Sequence, residues 1–239
     1  MPYLLLLAAV ILLLFLYWEL IVAEGAHLGA GAVVWLYDLT AGRYDRIKQF
    51  DLAVESGTLG LPLAAELAGV AAPRVLDAAC GTGRVARSLL RQPAFDGAVV
   101  NLDLSAGMLH AGRPHTAAWP GRAHWLRAPA DRLPFGADSF DAVTCLEALE
   151  FVPDARAALA ECVRVLRPGG LLLVTNRIGL EARLMPGKTF SRPAFERLLA
   201  EFPLRAVSVE PWQVEYDLAW ALKSGQPTFV LRQHKVKSG

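Results

Sequence analysis

The chain has few cysteines and no charge bias. Only Cys80, Cys145 and Cys162 occur in 239 residues, widely spaced and without a C-x-x-C pair. An odd, scattered set argues against a disulfide framework and a cysteine-held zinc site, and it fits a reducing compartment. The five histidines, His27, His110, His115, His124 and His234, show no ligand spacing, so no metal is expected. Lysine and arginine total 24 against 23 acidic residues, a formal net charge of +1. Without a basic excess or a cation cluster, nucleic acid is not an expected partner. No internal repeat or low-complexity linker interrupts the chain, and its length suits one substantial domain with an appendage.

Apolar residues are plentiful, at 54%, and the excess sits mostly at the front. "YLLLLAAVILLLFLYWELIVA", Tyr3 to Ala23, carries a single charge, Glu19. At about 1.5 Å per helical residue it reaches roughly 30 Å, the thickness of a bilayer's hydrocarbon core. Tyr3 at one end and Tyr17-Trp18 at the other suit the two interfaces, with Glu19 near the boundary. The run lacks a basic n-region and exceeds the length of a signal-peptide core. A helix apolar on every side also has nowhere to hide at a terminus. Residues 1–24 are therefore expected to form a single-pass membrane anchor. The first strong cations, Arg43, Arg46 and Lys48, lie downstream and favour a cytoplasmic main domain. Residues 25–70 are expected to form a juxtamembrane and helical cap segment, and 71–239 the main domain. Gly25 to Tyr37 remain apolar enough to lie on, or return into, the membrane.

Beyond Tyr37, short apolar runs alternate with helical patterns. Val75–Ala78, Ala98–Leu102, Ala123–Leu126, Phe140–Cys145 and Leu171–Thr175 read as buried strands. A helix is expected from the glycine turn toward Leu90, and a second from Ser105 as N-cap. In a third, Pro153-Asp154 open "PDARAALAECVRVLRPGG" and Pro168-Gly169-Gly170 stop it. "SRPAFERLLAEFP" adds a late helix, and "RAVSVEPWQV" and "PTFVLRQ" two late strands. Such alternation implies an α/β fold, a doubly wound, mostly parallel sheet with helices on both faces.

The chemistry is carried by "VLDAACGTGR", Val75 to Arg84. Gly81-Thr82-Gly83-Arg84-Val85-Ala86 fits the G-x-G-x-x-G/A pattern of a dinucleotide-binding turn, and Asp103 ends a strand about 20 residues later. Asp77 argues against a dinucleotide. A carboxylate at the strand end sits where the pyrophosphate would lie, with no cation before Arg84, and like charges there cost free energy. An ammonium-bearing ligand would find the same carboxylate attractive. S-adenosylmethionine is such a ligand: zwitterionic at its amino-acid end, with a ribose for Asp103 to accept from.

The runs "VLDAACGTGRVA", "VVNLDLSAGML", "APADRLPFGADSFDAVTCLEALEFVPD" and "ECVRVLRPGGLLLVTN" resemble the class I S-adenosylmethionine-dependent methyltransferases. The branch most similar is that of ubiquinone/menaquinone and small-molecule or lipid methyltransferases (type 11), over roughly Tyr37 to Asn176. The resemblance implies a Rossmann-like seven-stranded sheet with its last strand antiparallel. It gives Asp77, Gly81 and Gly83 to the methionine end of the cofactor and Asp103 to the ribose, with Ala79 and Leu104 also among the cofactor-binding residues. Met108 would pack on the adenine, Ala130 and Asp131 would frame its edge, and Cys145 and Glu147 would face cofactor and substrate. Tyr37 and Tyr44 resemble the family's N-terminal cap. Glu147 and Tyr44 are the expected catalytic residues. Glu147 and Glu150 are the candidate bases, needed only if the nucleophile must lose a proton. Many relatives carry histidines in the stretch that reads "ALEFVPD" here. The anchor points to a lipophilic acceptor held in the same membrane, and a non-catalytic cofactor-binding scaffold is the alternative.

Overall fold

Five apolar strands separated by glycine or aspartate turns build the sheet of this computed structural model, which describes residues 2–225. They are β1 (Arg74–Ala78), β2 (Ala98–Asp103), β3 (Ala123–Arg127), β4 (Phe140–Cys145) and β5 (Leu166–Arg177), and all five run parallel. Two further strands, β6 (Leu204–Trp212) and β7 (Tyr216–Lys223), form a hairpin at one edge. The order is β3-β2-β1-β4-β5-β7-β6, with β7 antiparallel to both its neighbours. Strands β1 and β4 are buried almost throughout, with cores packed on both faces of the sheet. One core packs β4 and β5 against Leu159, Cys162 and Phe195; the other packs β1 and β2 against Leu63, Leu67, Val85 and Leu89.

Local chemistry fixes the helix starts. In α7 (Ala106–Gly112) the Ser105 side chain accepts from the Met108 N–H, and in α8 (Ala155–Val165) Asp154 accepts from the Ala157 N–H. Helix α8 ends earlier than Pro168-Gly169-Gly170, because Leu166 already turns extended. That tripeptide instead makes an irregularity inside β5: Phe140 pairs with Leu166, but Ala142 pairs with Leu171. A Cβ on Gly170 would stand 2.7 Å from Leu166 Cδ1 and 2.9 Å from Arg167 O, so no other residue fits without a shift.

The strand expected at "RAVSVEPWQV" is β6, paired with Tyr216–Lys223, and the residues of "PTFVLRQ" lie outside those described. Asp217 obscures β7 in the sequence. It is fully buried there, gripped by both Arg192 Nε (3.1 Å) and Nη2 (2.5 Å).

The front end is a helix, α1 (Pro2–Tyr17), exposed along nearly its whole length, and it continues as a wider turn over Trp18–Val22. This turn swings Glu19 inward. Glu19 is fully buried and accepts from the His27 N–H (3.0 Å) with His27 Nδ1 at 3.1 Å. Trp18 Nε1 donates to Leu184 O, and Ala23, Ala26 and Met185 pack together beneath Trp18 and Phe151. The segment 25–37 packs back onto the protein, with α2 (Ala30–Thr40) against α7 and Val33 inward, while Leu28 and Trp35 stay exposed. The cap continues through α3 (Tyr44–Ile47), α4 (Leu52–Glu55) and α5 (Leu61–Leu67), the last packed on α6 (Arg84–Leu89).

Candidate functional site

Strand β1 lies between β2 and β4, where the strand order reverses, and a crevice forms outside the carboxyl ends of parallel strands at such a point. It is a cavity of about 360 Å³, within the range of small-molecule sites. Asp77, Ala79, Gly81, Asp103, Leu104, Ala130 and Asp131 all line it, together with Tyr44 and Glu147.

Asp77, at the penultimate position of β1, is only 2% exposed. Its Oδ1 accepts from Thr144 Oγ1 at 2.7 Å, and the Val85 backbone supplies another hydrogen bond. Burial nevertheless pushes its pKa up to about 7. The chain after it coils tightly: Ala79, Gly81 and Gly83 all have positive φ, at 55°, 54° and 78°. This brings the Gly81 N–H to Asp103 Oδ2 (2.8 Å), while the Ser105 N–H binds Asp103 Oδ1 (2.8 Å). The two acids that bracket the glycine turn in sequence are thus joined through it in space. Burial raises the Asp103 pKa as well.

Three expected residues stand behind the wall. Gly83 is required for packing: a Cβ there would lie 2.5 Å from Trp125 Cη2. Met108 is fully buried in α7, and Cys145 is fully buried beside Cys162; neither lines the cavity. The family resemblance assigns both to the site, whereas here both side chains are fully buried. Leu104 and the stretch Leu146-Glu147-Ala148 line the cavity in their place. Glu150 is likewise not a lining residue. It is 1% exposed, accepts from the Tyr216 hydroxyl (2.8 Å) and pairs with Arg177 Nε (3.0 Å).

The cap closes the cavity from the N-terminal side. Val33, Val34, Tyr37, Tyr44 and Phe50 all reach it, with Tyr44 packed against both Tyr37 and Phe50. Two aspartates seven residues apart in "YDLTAGRYD" tie the cap down. Asp38 accepts from Ser105 Oγ and the Gly107 N–H; Asp45 accepts from Thr82 Oγ1 and pairs with Arg87. Their seven-residue spacing, about two helical turns, is the sequence signal for this role. Burial and the Glu147 charge drive the Tyr44 pKa well above its ordinary value, so its hydroxyl is a donor and no base at neutral pH.

Glu147 sits at φ 51°, a strained position for a side chain of this size. Its N–H donates to Thr175 Oγ1, and its carboxylate pairs with Arg84. Arg84 is buried, bidentate to Glu55 (2.5 and 2.8 Å) and flanked by the rings of Phe50 and Trp212. The only cation among the cavity's inner residues is therefore already satisfied by protein carboxylates, which leaves Asp77 free to attract one. Among the described residues no group of histidine, cysteine and carboxylate side chains is arranged to hold a metal.

A family model described as a methyltransferase domain matches residues 76–174. A ubiquinone/menaquinone biosynthesis C-methyltransferase of Edwardsiella ictaluri is 31% identical over 185 residues, covering 76% of this chain and 68% of that protein. The chain belongs to the class I S-adenosylmethionine-dependent methyltransferases. The corresponding enzyme of Geobacter sulfurreducens is 36% identical over 57% of this chain and 50% of its own length. A demethylmenaquinone methyltransferase of Clavibacter sepedonicus is 38% identical over 60% and 57%. This methyltransferase-family chain thus spans about half the length of the first curated relatives it matches. The fold is shared with an Aquifex aeolicus S-adenosylmethionine-dependent methyltransferase (TM-score 0.56, 16% identity, 73% of this chain and 99% of that one). It is also shared with the cyclase SpnF (TM-score 0.66, 18% identity, 82% and 96%).

The family's cofactor, S-adenosylmethionine, fits the residues present. Asp77 offers a buried, uncompensated carboxylate for its ammonium, and Asp103 keeps acceptor capacity for ribose hydroxyls. Leu104, Ala130 and Asp131 offer apolar contact and an acceptor for the base.

Proposed function

We propose that the chain is an S-adenosylmethionine-dependent methyltransferase acting on a lipophilic small-molecule acceptor. The observation that carries the reading is Asp77, a buried carboxylate at the switch point beside a buried cation, Arg84, that is already paired with Glu55 and Glu147. When bound, the cofactor supplies an activated methyl group on a sulfonium. The chain's own residues bind and orient it through Asp77, Gly81 and Asp103, and the Tyr37–Tyr44–Phe50 cap excludes water. Bringing the acceptor close in the right orientation is the enzyme's main task in such a displacement. Glu147, at the cavity edge, is the candidate to hold a proton released by the acceptor. Residues 25–70 act as cap and 71–239 as the catalytic domain.

SpnF has the same fold and is described as a cyclase, so the fold alone does not carry methyl transfer. Calorimetric titration of the full chain with S-adenosylmethionine, S-adenosylhomocysteine and NAD tests the binding half. The first two are expected to bind and NAD not; NAD binding alone overturns the reading. Radiolabelled methyl transfer into a membrane lipid extract tests the other half. Tight cofactor binding with no labelled product from any extract would favour the scaffold.

The lipophilic acceptor rests on the span Tyr3–Val22, the one helix among those described that is long and apolar enough to cross a membrane, and it is almost wholly exposed. It is read as a single-pass anchor with the catalytic domain on the cytoplasmic side. In cells, the protein is expected to stay in the membrane pellet after alkaline carbonate extraction. Quantitative release to the supernatant would remove the anchor, and with it the ground for a membrane-held acceptor.

A further inference from the structure

A second cavity, of about 790 Å³, adjoins the first, and Tyr37, Tyr44, Phe50 and Glu147 line both. Its outer part is apolar: Leu20 and Ile21, at the end of the hydrophobic span, are joined there by Leu36, Leu39, Ile47 and Val214. Ile21, Leu39, Ile47 and Val214 are all exposed, so the mouth is a rim of apolar side chains continuous with the span.

Its lining is also rich in carboxylates. Glu24, Asp51, Glu55, Glu147, Glu181 and Glu215 line the cavity against two cations, Lys48 and Arg177. Neither cation is available to a ligand. Arg177 is held by Glu150 and Glu181, both at 3.0 Å, and Lys48 stands 3.8 Å from Glu24. Arg84, just behind the shared wall, is taken up by Glu55 and Glu147. The tyrosines add only donors, since burial and these carboxylates keep the hydroxyls of Tyr37, Tyr44 and Tyr216 protonated.

From the apolar rim, the excess of carboxylates over cations and the wall shared with the cofactor cavity, we infer that this second cavity is the acceptor site and takes a long-chain amine. The inference rests on the methyltransferase reading and names its substrate class. A phenol or quinol must become an anion to react well, and surplus carboxylate opposes that charge. A phosphate-bearing headgroup meets the same opposition. An ammonium is drawn in by it and becomes a neutral nucleophile on losing a proton. The amine's lone pair takes the methyl carbon, the C–S bonding pair stays on sulfur, and the proton passes through Glu147 to solvent. Glu147 lines both cavities with one oxygen paired to Arg84, which fits that proton-accepting position.

The test is binding of dodecylamine, dodecanol, dodecanoic acid and 4-dodecylphenol to the full chain in dodecyl maltoside micelles, preloaded with S-adenosylhomocysteine and followed by tryptophan fluorescence. Dodecylamine is expected to bind about tenfold more tightly than the other three. Glu147→Gln should weaken it further than Glu215→Gln, which is expected to cost about threefold. Glu215 lies at the mouth, away from the cofactor cavity, so its variant should keep the affinity for S-adenosylhomocysteine. Mass spectrometry with S-adenosylmethionine should then show dodecylamine gaining a methyl group. Equal or tighter binding of the phenol or the alcohol, or a Glu215→Gln variant that binds dodecylamine as the parent does, overturns the amine assignment alone. Failure of the parent to bind S-adenosylhomocysteine overturns the methyltransferase reading beneath it.

Discussion

Asp77→Asn is expected to make the ligand-free protein more stable while abolishing cofactor binding. The Asp77 carboxyl is raised from 3.8 to about 7 by burial. A raised acid pKa means that the folded state binds its proton more tightly than the unfolded one does. The burden is therefore absent below about pH 4, grows as pH rises toward 7, and is constant above. At pH 8 it amounts to a few kcal/mol, at 1.36 kcal/mol per pKa unit. Asparagine fits without the charge: its oxygen can accept from the Val85 backbone and its amide can donate to Thr144 Oγ1. The Thr144 proton is then free for Leu76 O, already 3.4 Å away. Differential scanning fluorimetry should show a midpoint higher by roughly 5 °C at pH 8, with the gain vanishing near pH 4. Calorimetry should show affinity for S-adenosylmethionine lower by at least about a hundredfold, the loss of a charge-assisted contact in a buried site. In the parent protein, binding should also weaken below pH 7, by up to about tenfold per unit, because Asp77 must release its proton to face an ammonium. A variant that loses stability at pH 8 yet binds normally would show that Asp77 serves the fold and not the ligand.

Arg177→Met should be the most damaging single change outside the cofactor cavity. Arg177, the last residue of β5, is 2% exposed and meets Glu150, Glu181 and the Tyr216 hydroxyl, with Glu24 at 3.7 Å. Burial opposes its charge, but Tyr216, Glu150 and Glu24 hold the proton firmly. Removing it strands Glu150, whose own pKa burial already raises. Breaking a buried pair from one side costs about 3–5 kcal/mol. The loss should be largest at high pH, where Glu150 would have to be charged. It should ease as pH falls and the carboxyl takes a proton. Because Glu24 belongs to the segment joining α1 to α2, limited proteolysis should also cut faster between residues 23 and 30. The double variant Arg177→Met, Glu150→Gln should recover part of the loss, since no unpaired charge remains. If the single variant unfolds at the parent's denaturant midpoint, the network contributes nothing to stability.

Local signals were legible. Each expected parallel strand, the caps at Ser105 and Asp154, and the acid–glycine–acid constellation depend on neighbours within a few residues. Backbone sterics and hydrogen bonding act at that range. The exposed apolar span is equally local, a matter of twenty residues and one charge. Other features required the chain to fold before they existed. Asp217 looks too polar for a central strand until Arg192, twenty-five residues away, neutralises it. Arg84 acquires its meaning from Glu55 and Glu147, 29 and 63 positions distant. Met108 and Cys145 were given to the site by the family resemblance, and only packing decides which way a side chain on a surface of the sheet or helix points. The same holds for Glu19, turned inward to His27, and for α2, folded back as a cap. The sequence by itself determined the five parallel strands, the turn and the acids that flank it, because these are set by short-range periodicity and backbone geometry. Tertiary structure alone decided the second cavity and the paired state of every cation around it, because burial and charge compensation depend on which distant segments are brought together.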